Sequence, residues 1–388
     1  MIEKIVEKTH LPLAATIVPP KARSQQLDII KALAIMFVVA FHYFPGQLGW
    51  HMHVLPAGFF ENYWAGVLAG PSSQILGKIG IFLDSYLYVG VNLFVIASGF
   101  GLYLSHLKST QGKPGTKIDL KEFFVKRVWR LMPAAILATI LVFFIKGFFL
   151  GGWPVQNFYL NFFPFLGGLN LFSNNWFFPP INGDTWFLGL IVQLYLFFPL
   201  LVKLYEKLGE KKFLILLLLV SVIFRTAYYI FWKGSVESLS YGLSIGRLFE
   251  FGFGMVVAKN FLDGKKLSAS WILAIPFGLG YFWPISFPFA DGLFGVGVFT
   301  ALWLVAEKLP LWSGWVKIAA LSYFVFLLHH PLIWIVGNWG FHNEWSLIGV
   351  IVIALIFLAS CLFAQIAQWV LDFVSAILKK LRGADVKS

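Results

Sequence analysis

Cysteine is almost missing from this chain. The single one, Cys361 in the last apolar run, excludes a disulfide framework and any cysteine-rich metal site. Charge is scarce too, at 12% of 388 residues against 59% hydrophobic, and no soluble domain of this length carries so little. Acidic residues number only 18, and they read as absent from the middles of the apolar runs. Lys and Arg are absent from 151–184. The first 26 residues lack the logic of a cleavable signal: Glu3 and Glu7 interrupt the positive region, and Leu11 to Val18 is too short and ends in Pro19-Pro20. No internal repeat, low-complexity tract or soluble domain is visible.

What remains is a membrane helix bundle. Sixteen Trp and 43 Phe suit lipid contact and interfacial belts. The apolar runs predict an all-α polytopic bundle of about ten spans, at 27–45, 82–105, 129–150, 185–203, 213–232, 243–259, 270–288, 292–306, 318–336 and 346–372. With the N-terminus in the cytoplasm, twenty-three of the thirty basic residues fall in cytoplasmic segments, six of them between Lys108 and Arg127. Only Lys78 and Lys233 fall outside. That bias puts both termini inside, and it assigns the +12 net charge to topology, with no nucleic-acid partner required. Residues 1–26 read as a cytoplasmic tail, 27–372 as the transmembrane domain, and 373–388 as a basic cytoplasmic tail. The Gly-, Pro-, Asn- and aromatic-rich insertion 151–184 reads as an outer lid, since non-helical backbone at that depth must be covered by protein or line a wet cavity.

Lys31 and His42 stand eleven positions apart in the first span. At about 100° per residue that is nearly three turns, so they share a face roughly 16 Å apart along the axis. A chargeable side chain in a bilayer costs about 2.5–3.5 kcal/mol on insertion scales and marks a path or a reaction centre. The plainer alternatives are an inert interfacial histidine and a snorkelling lysine. Arg127 and Arg130, three apart on a helix at the inner boundary, suit phosphate oxygens or are simply a topology signal. Arg247 and Glu250 read as a helix-neighbour pair. Ser98-Gly99 and the Gly242 to Gly246 spacing read as close-packing positions. His329 and His330 are adjacent, so they point about 100° apart and are not expected to face one cavity together.

Five patterns occur in order: Lys31 to His42; Gly90-Val-Asn-Leu-Phe-Val-Ile-Ala-Ser-Gly-Phe100; Phe123-Phe-Val-Lys-Arg127-Val-Trp-Arg130-Leu-Met-Pro133; Trp186-Phe-Leu-Gly-Leu-Ile-Val-Gln193-Leu-Tyr195 with Pro199; and Tyr323-Phe-Val-Phe-Leu-Leu-His329-His330-Pro331. In this order and spacing the chain resembles the acyltransferase 3 family of integral membrane acyltransferases over nearly its whole length. The resemblance implies transfer of an acyl group, commonly acetyl, from cytoplasmic acyl-CoA to a hydroxyl of a cell-surface carbohydrate or lipid-linked glycan, in a bacterial inner membrane. It implies His42 and His329 as catalytic, Lys31, Arg127 and Arg130 at the CoA, and Trp186, Gln193 and Tyr195 at the acceptor. Acyl-CoA serves as donor substrate, and neither a permanently bound cofactor nor a metal is expected. Departures accompany the matches. Lys31 replaces the usual Arg and so loses a bidentate fork. Ile191 stands where many members carry Glu, and Asn92 where Asp is frequent. The competing reading is a secondary transporter or lipid-linked sugar flippase using the same polar residues as a path; the missing mid-span carboxylates and the family likeness favour the enzyme.

Overall fold

The computed structural model describes residues 24–44, 77, 79–80, 83, 85–113, 115–116, 118–153, 181–231, 243–267, 270–280, 286–310, 312–340 and 346–385. Among these there is no strand. The helices are α1 Gln25–Tyr43, α2 Val89–Ser109, α3 Leu120–Phe149, α4 Trp186–Phe231, α5 Leu248–Leu262, α6 Ala274–Leu279, α7 Phe287–Ala306, α8 Ser313–Asn338 and α9 Leu347–Asp385. Seven are long and apolar enough to cross a membrane. One of the seven, α4, is two helices joined at Gly209, whose φ of 70° and ψ of 171° turn the chain where any other residue would be strained. Spans 185–203 and 213–232 are therefore the two limbs of α4.

The starts are set by caps. Ser24 Oγ accepts from the Leu27 amide, and Asp119 Oδ1 accepts from the Glu122 amide. Both helices therefore begin before their apolar runs do, α3 by nine residues relative to the expected 129. The span expected at 270–288 is a correction. It is a 3-10 turn, Ser270–Leu273, followed by the six-residue α6, because Pro276 and the glycines at 278 and 280 do not sustain a longer helix. This segment runs antiparallel to α7, with Ala274 against Gly297 and Gly278 against Phe294. Residues 1–23, 154–180 (most of the expected lid) and 386–388 lie outside the described residues; α9 stays helical to Asp385, through most of the expected basic tail.

Burial orders the bundle from the centre outward. The most apolar window of α2 is 83% buried, that of α9 only 28%. So α2 is the central helix, clasped by α1, α5 and α7, while α9 lies on the rim behind α8. The exposed face of α9 is Leu347, Ile351, Leu355, Leu358 and Leu362, a surface that water would not tolerate and lipid does. At the α2–α5 crossing Gly99 meets the Phe251 carbonyl and Gly254 meets the Ile96 carbonyl, so the close packing read from Gly99 is borne out with Gly254 as its partner.

Candidate active site

His42, at the last turn of α1, meets His329 and His330 of α8. His42 Nδ1 lies 2.9 Å from His329 Nε2, and the His42 ring centroid is 4.9 Å from that of His329 and 4.3 Å from that of His330. Adjacent histidines were not expected to face one cavity together. The structure corrects this: the His329 and His330 ring centroids are 4.6 Å apart, so the three rings form a triangle in which each imidazole of α8 reaches His42.

The hydrogen bonds assign tautomers. His329 Nδ1 lies 2.8 Å from the Phe326 carbonyl and 3.2 Å from that of Val325. Carbonyls only accept, so Nδ1 carries the proton and Nε2 of the neutral ring is an acceptor. His42 must then donate from Nδ1, which makes Nε2 the lone-pair atom of its neutral ring. The His42 ring also engages the Val38 carbonyl one turn back. His329 is wholly buried and its bonds leave it no second orientation.

A short turn brings a carboxylate to the same place. Pro331 has no N–H, so the Leu327 carbonyl four residues back loses its helical partner. Asn182 Nδ2 donates to that carbonyl at 2.9 Å. Its Oδ1 accepts from the Asp184 amide, and its carbonyl accepts from the Thr185 hydroxyl. This bolts the Gly183–Thr185 turn to α8 and sets Asp184 Oδ1 2.5 Å from His330 Nδ1. Asp184 Oδ2 is buried without a hydrogen bond, 3.8 Å from His329 Nδ1. Lys146 of α3 lies over Trp334 at 4.6 Å, within electrostatic reach of Asp184. By sequence Asp184 reads, with Trp186, as an acceptor contact at the mouth of the fourth span; its partner His330 lies 146 residues away, and no spacing reveals the pair.

Near the same end, a second polar knot is fully buried. Arg225 and Arg247 face Glu250 and Asp291, with four N–O distances of 2.7–3.1 Å. Two cations against two carboxylates leave no net charge, the condition under which a buried ionic cluster is tolerated. Arg247 also donates to the Tyr88 hydroxyl, and Tyr88 packs edge-on against Phe41, next to His42. The Arg247–Glu250 pairing is borne out. The absence of mid-span acids is not: Glu250 and Asp291 are both 0% exposed inside the bundle. Asn92 donates to the carboxylate and the carbonyl of Asp291. An ionised aspartate at that position could not donate, so the departure from the family pattern fits its partner here.

The remaining candidates disperse. Lys31 is partly buried on α1, three turns from His42 toward the other end. Arg127 turns into the bundle between the Phe123 and Tyr195 rings, at 5.6 and 5.9 Å, with its Nε buried and unpartnered, whereas Arg130 is exposed. The expected pair therefore presents one inward guanidinium. Trp186 is buried at the start of α4, packed on Phe187. Gln193 Oε1 accepts from the Ser244 amide and so anchors the 3-10 turn ahead of α5. Tyr195 stands beside Arg127, eleven residues and about three helical turns along from Asp184. The three expected acceptor residues are not gathered at one place. Ile191 is buried, an apolar contact where many members would set a carboxylate.

The described residues thus form a polytopic helix bundle with a histidine cluster at one end and one inward guanidinium toward the other. The acyltransferase domain model of the acyltransferase 3 family matches residues 24–366, nearly the whole chain, and the chain belongs to that family. It is a multi-pass membrane acyltransferase. Neither a curated protein nor a solved structure matches it.

Proposed function

We propose that this acyltransferase takes an acyl group, acetyl in the first instance, from cytoplasmic acyl-CoA and delivers it to a hydroxyl of a cell-surface carbohydrate or lipid-linked glycan. The membrane is that of a bacterial cell, with both termini inside. The observation that carries the chemistry is the line from the Phe326 and Val325 carbonyls through His329 to His42. It makes His42 Nε2 the basic nitrogen of the ring. The acceptor oxygen attacks the thioester carbonyl while its proton passes to His42 Nε2. As the C–S bond breaks, the proton passes on to the departing CoA sulfur. His329 Nε2 receives the His42 Nδ1–H throughout, so the imidazolium formed in transit is held in place. Arg127, bracketed by aromatic rings with an unpartnered N–H, supports binding of a CoA phosphate or pyrophosphate at the inner side. Lys31, on the His42 face of α1, would guide the pantetheine arm.

The test is His42→Gln, assayed with acetyl-CoA and surface glycan from cells lacking the gene. Glutamine keeps hydrogen bonding but cannot carry a proton at neutral pH. Transfer should fall about 10²–10⁴-fold with expression unchanged. Wild-type transfer by this variant would overturn the mechanism. A transport path would need the hydrogen bonds and not the proton, so it would survive.

A further inference from the structure

We propose that His42, His329 and His330 also form a binding site for one zinc-class divalent cation, and that its occupancy shuts off the base. One ring nitrogen from each residue lies within 4.8 Å of the other two. Ligand atoms around a tetrahedral zinc at 2.0–2.1 Å are about 3.3 Å apart, so the His42–His329 edge at 2.9 Å is already near that spacing. The wider edges close by rotation of His330, the least buried of the acid–imidazole pair it forms with Asp184, its side chain being 14% exposed against 2%.

The independent support is what stands behind the rings. Metal-bound imidazoles present one nitrogen to the ion and give the other N–H to a carboxylate or a backbone carbonyl. His330 Nδ1 is on Asp184, and His329 Nδ1 is on the Phe326 and Val325 carbonyls. Both rings are therefore set with Nε2 as the lone-pair atom. The Asp184 carboxylate, 2% exposed and with Oδ2 unpartnered, supplies negative charge behind three neutral ligands. Lys146 of α3 lies within electrostatic reach of it.

Metal entry has a defined consequence. His42 donates through Nδ1 when the ion is absent. To ligate through Nδ1 it must move that proton to Nε2, the atom that takes the acceptor proton in the transfer reaction. No proton is released. The ion and the acceptor hydroxyl thus compete for one ring, a consequence that rests on the proposed acyl-transfer reading; the binding itself does not.

The probe is Co²⁺, titrated into the chelator-treated full chain, carrying no polyhistidine tag, in detergent. One equivalent should produce the visible absorption of four-coordinate Co²⁺ and be displaced by Zn²⁺. His329→Gln and His330→Gln should each abolish the band. Asp184→Asn, which removes no ligand, should weaken binding about 10–100-fold. Thermal unfolding of each variant shows that it is folded, and a variant that is not is replaced by the corresponding Asn substitution. Absence of the band in the unsubstituted chain, or its persistence in both Gln variants, overturns the site. Zn²⁺ should also inhibit acyl transfer reversibly, and inhibition that persists at the same Zn²⁺ concentration in Asp184→Asn would overturn the shut-off. Failure of the transfer reading would show separately, as wild-type activity in metal-free His42→Gln.

Discussion

The bond from Asn182 to the Leu327 carbonyl exists because Pro331 vacates it, and that dependence can be measured. Asn182→Ala removes the side-chain hydrogen bond that satisfies this buried carbonyl. An unsatisfied buried acceptor costs about 1–3 kcal/mol. Pro331→Ala restores an N–H four residues on and lets the helix satisfy Leu327 by itself. The two substitutions should therefore be strongly non-additive. Asn182→Ala alone should destabilise by about 1–3 kcal/mol, and in the Pro331→Ala background by under about 1 kcal/mol. The assay is thermal and denaturant unfolding of the purified protein in detergent, followed by tryptophan fluorescence, with all four proteins in one cycle. Co²⁺ binding should follow a different pattern. Even where stability is restored, losing Asn182 frees the Gly183–Thr185 turn from α8, so Asp184 is no longer held at His330. Additive stability effects would refute the reasoning, because Leu327 would then have no shared partner to lose.

Two further outcomes follow from the packing and from the inner end. Gly254→Leu should destabilise by about 1–3 kcal/mol or more, because a Cβ there would lie 2.0 Å from the Ile96 carbonyl oxygen and α2 and α5 would have to part, while Gly101→Ala, with open space around it, should be neutral or gain up to about 1 kcal/mol; unfolding in detergent checks both. Arg127→Ala should weaken acetyl-CoA binding by calorimetry far more than Arg130→Ala does, since only Arg127 turns inward with an unpartnered N–H; equal effects would refute the inner-end assignment.

The class of this protein follows from composition, because a chain this apolar with so few charges has no stable arrangement in water. The limits of α1, α3 and both limbs of α4 follow from local rules: apolar run length, a capping Ser or Asp, and a glycine able to take positive φ at 209. The failure at 270–288 has a local cause too, since hydropathy sums residues while Pro276 and its neighbouring glycines act on the backbone. His42 and His329 are visible in the sequence through the order of the motifs. What the sequence does not carry is which ring nitrogen holds a proton, because that depends on carbonyls and on a partner 287 residues away. The Asp184–His330 pair, the two-cation, two-carboxylate knot around Arg247, and the inward turn of Arg127 alone are likewise decided only by packing. Each is set by which helices become neighbours. In a bundle whose membrane-spanning faces are apolar outward as well as inward, that choice rests on a few buried polar groups finding partners and on small residues such as Gly99 and Gly254 letting helices approach, neither of which leaves a periodic trace along the chain.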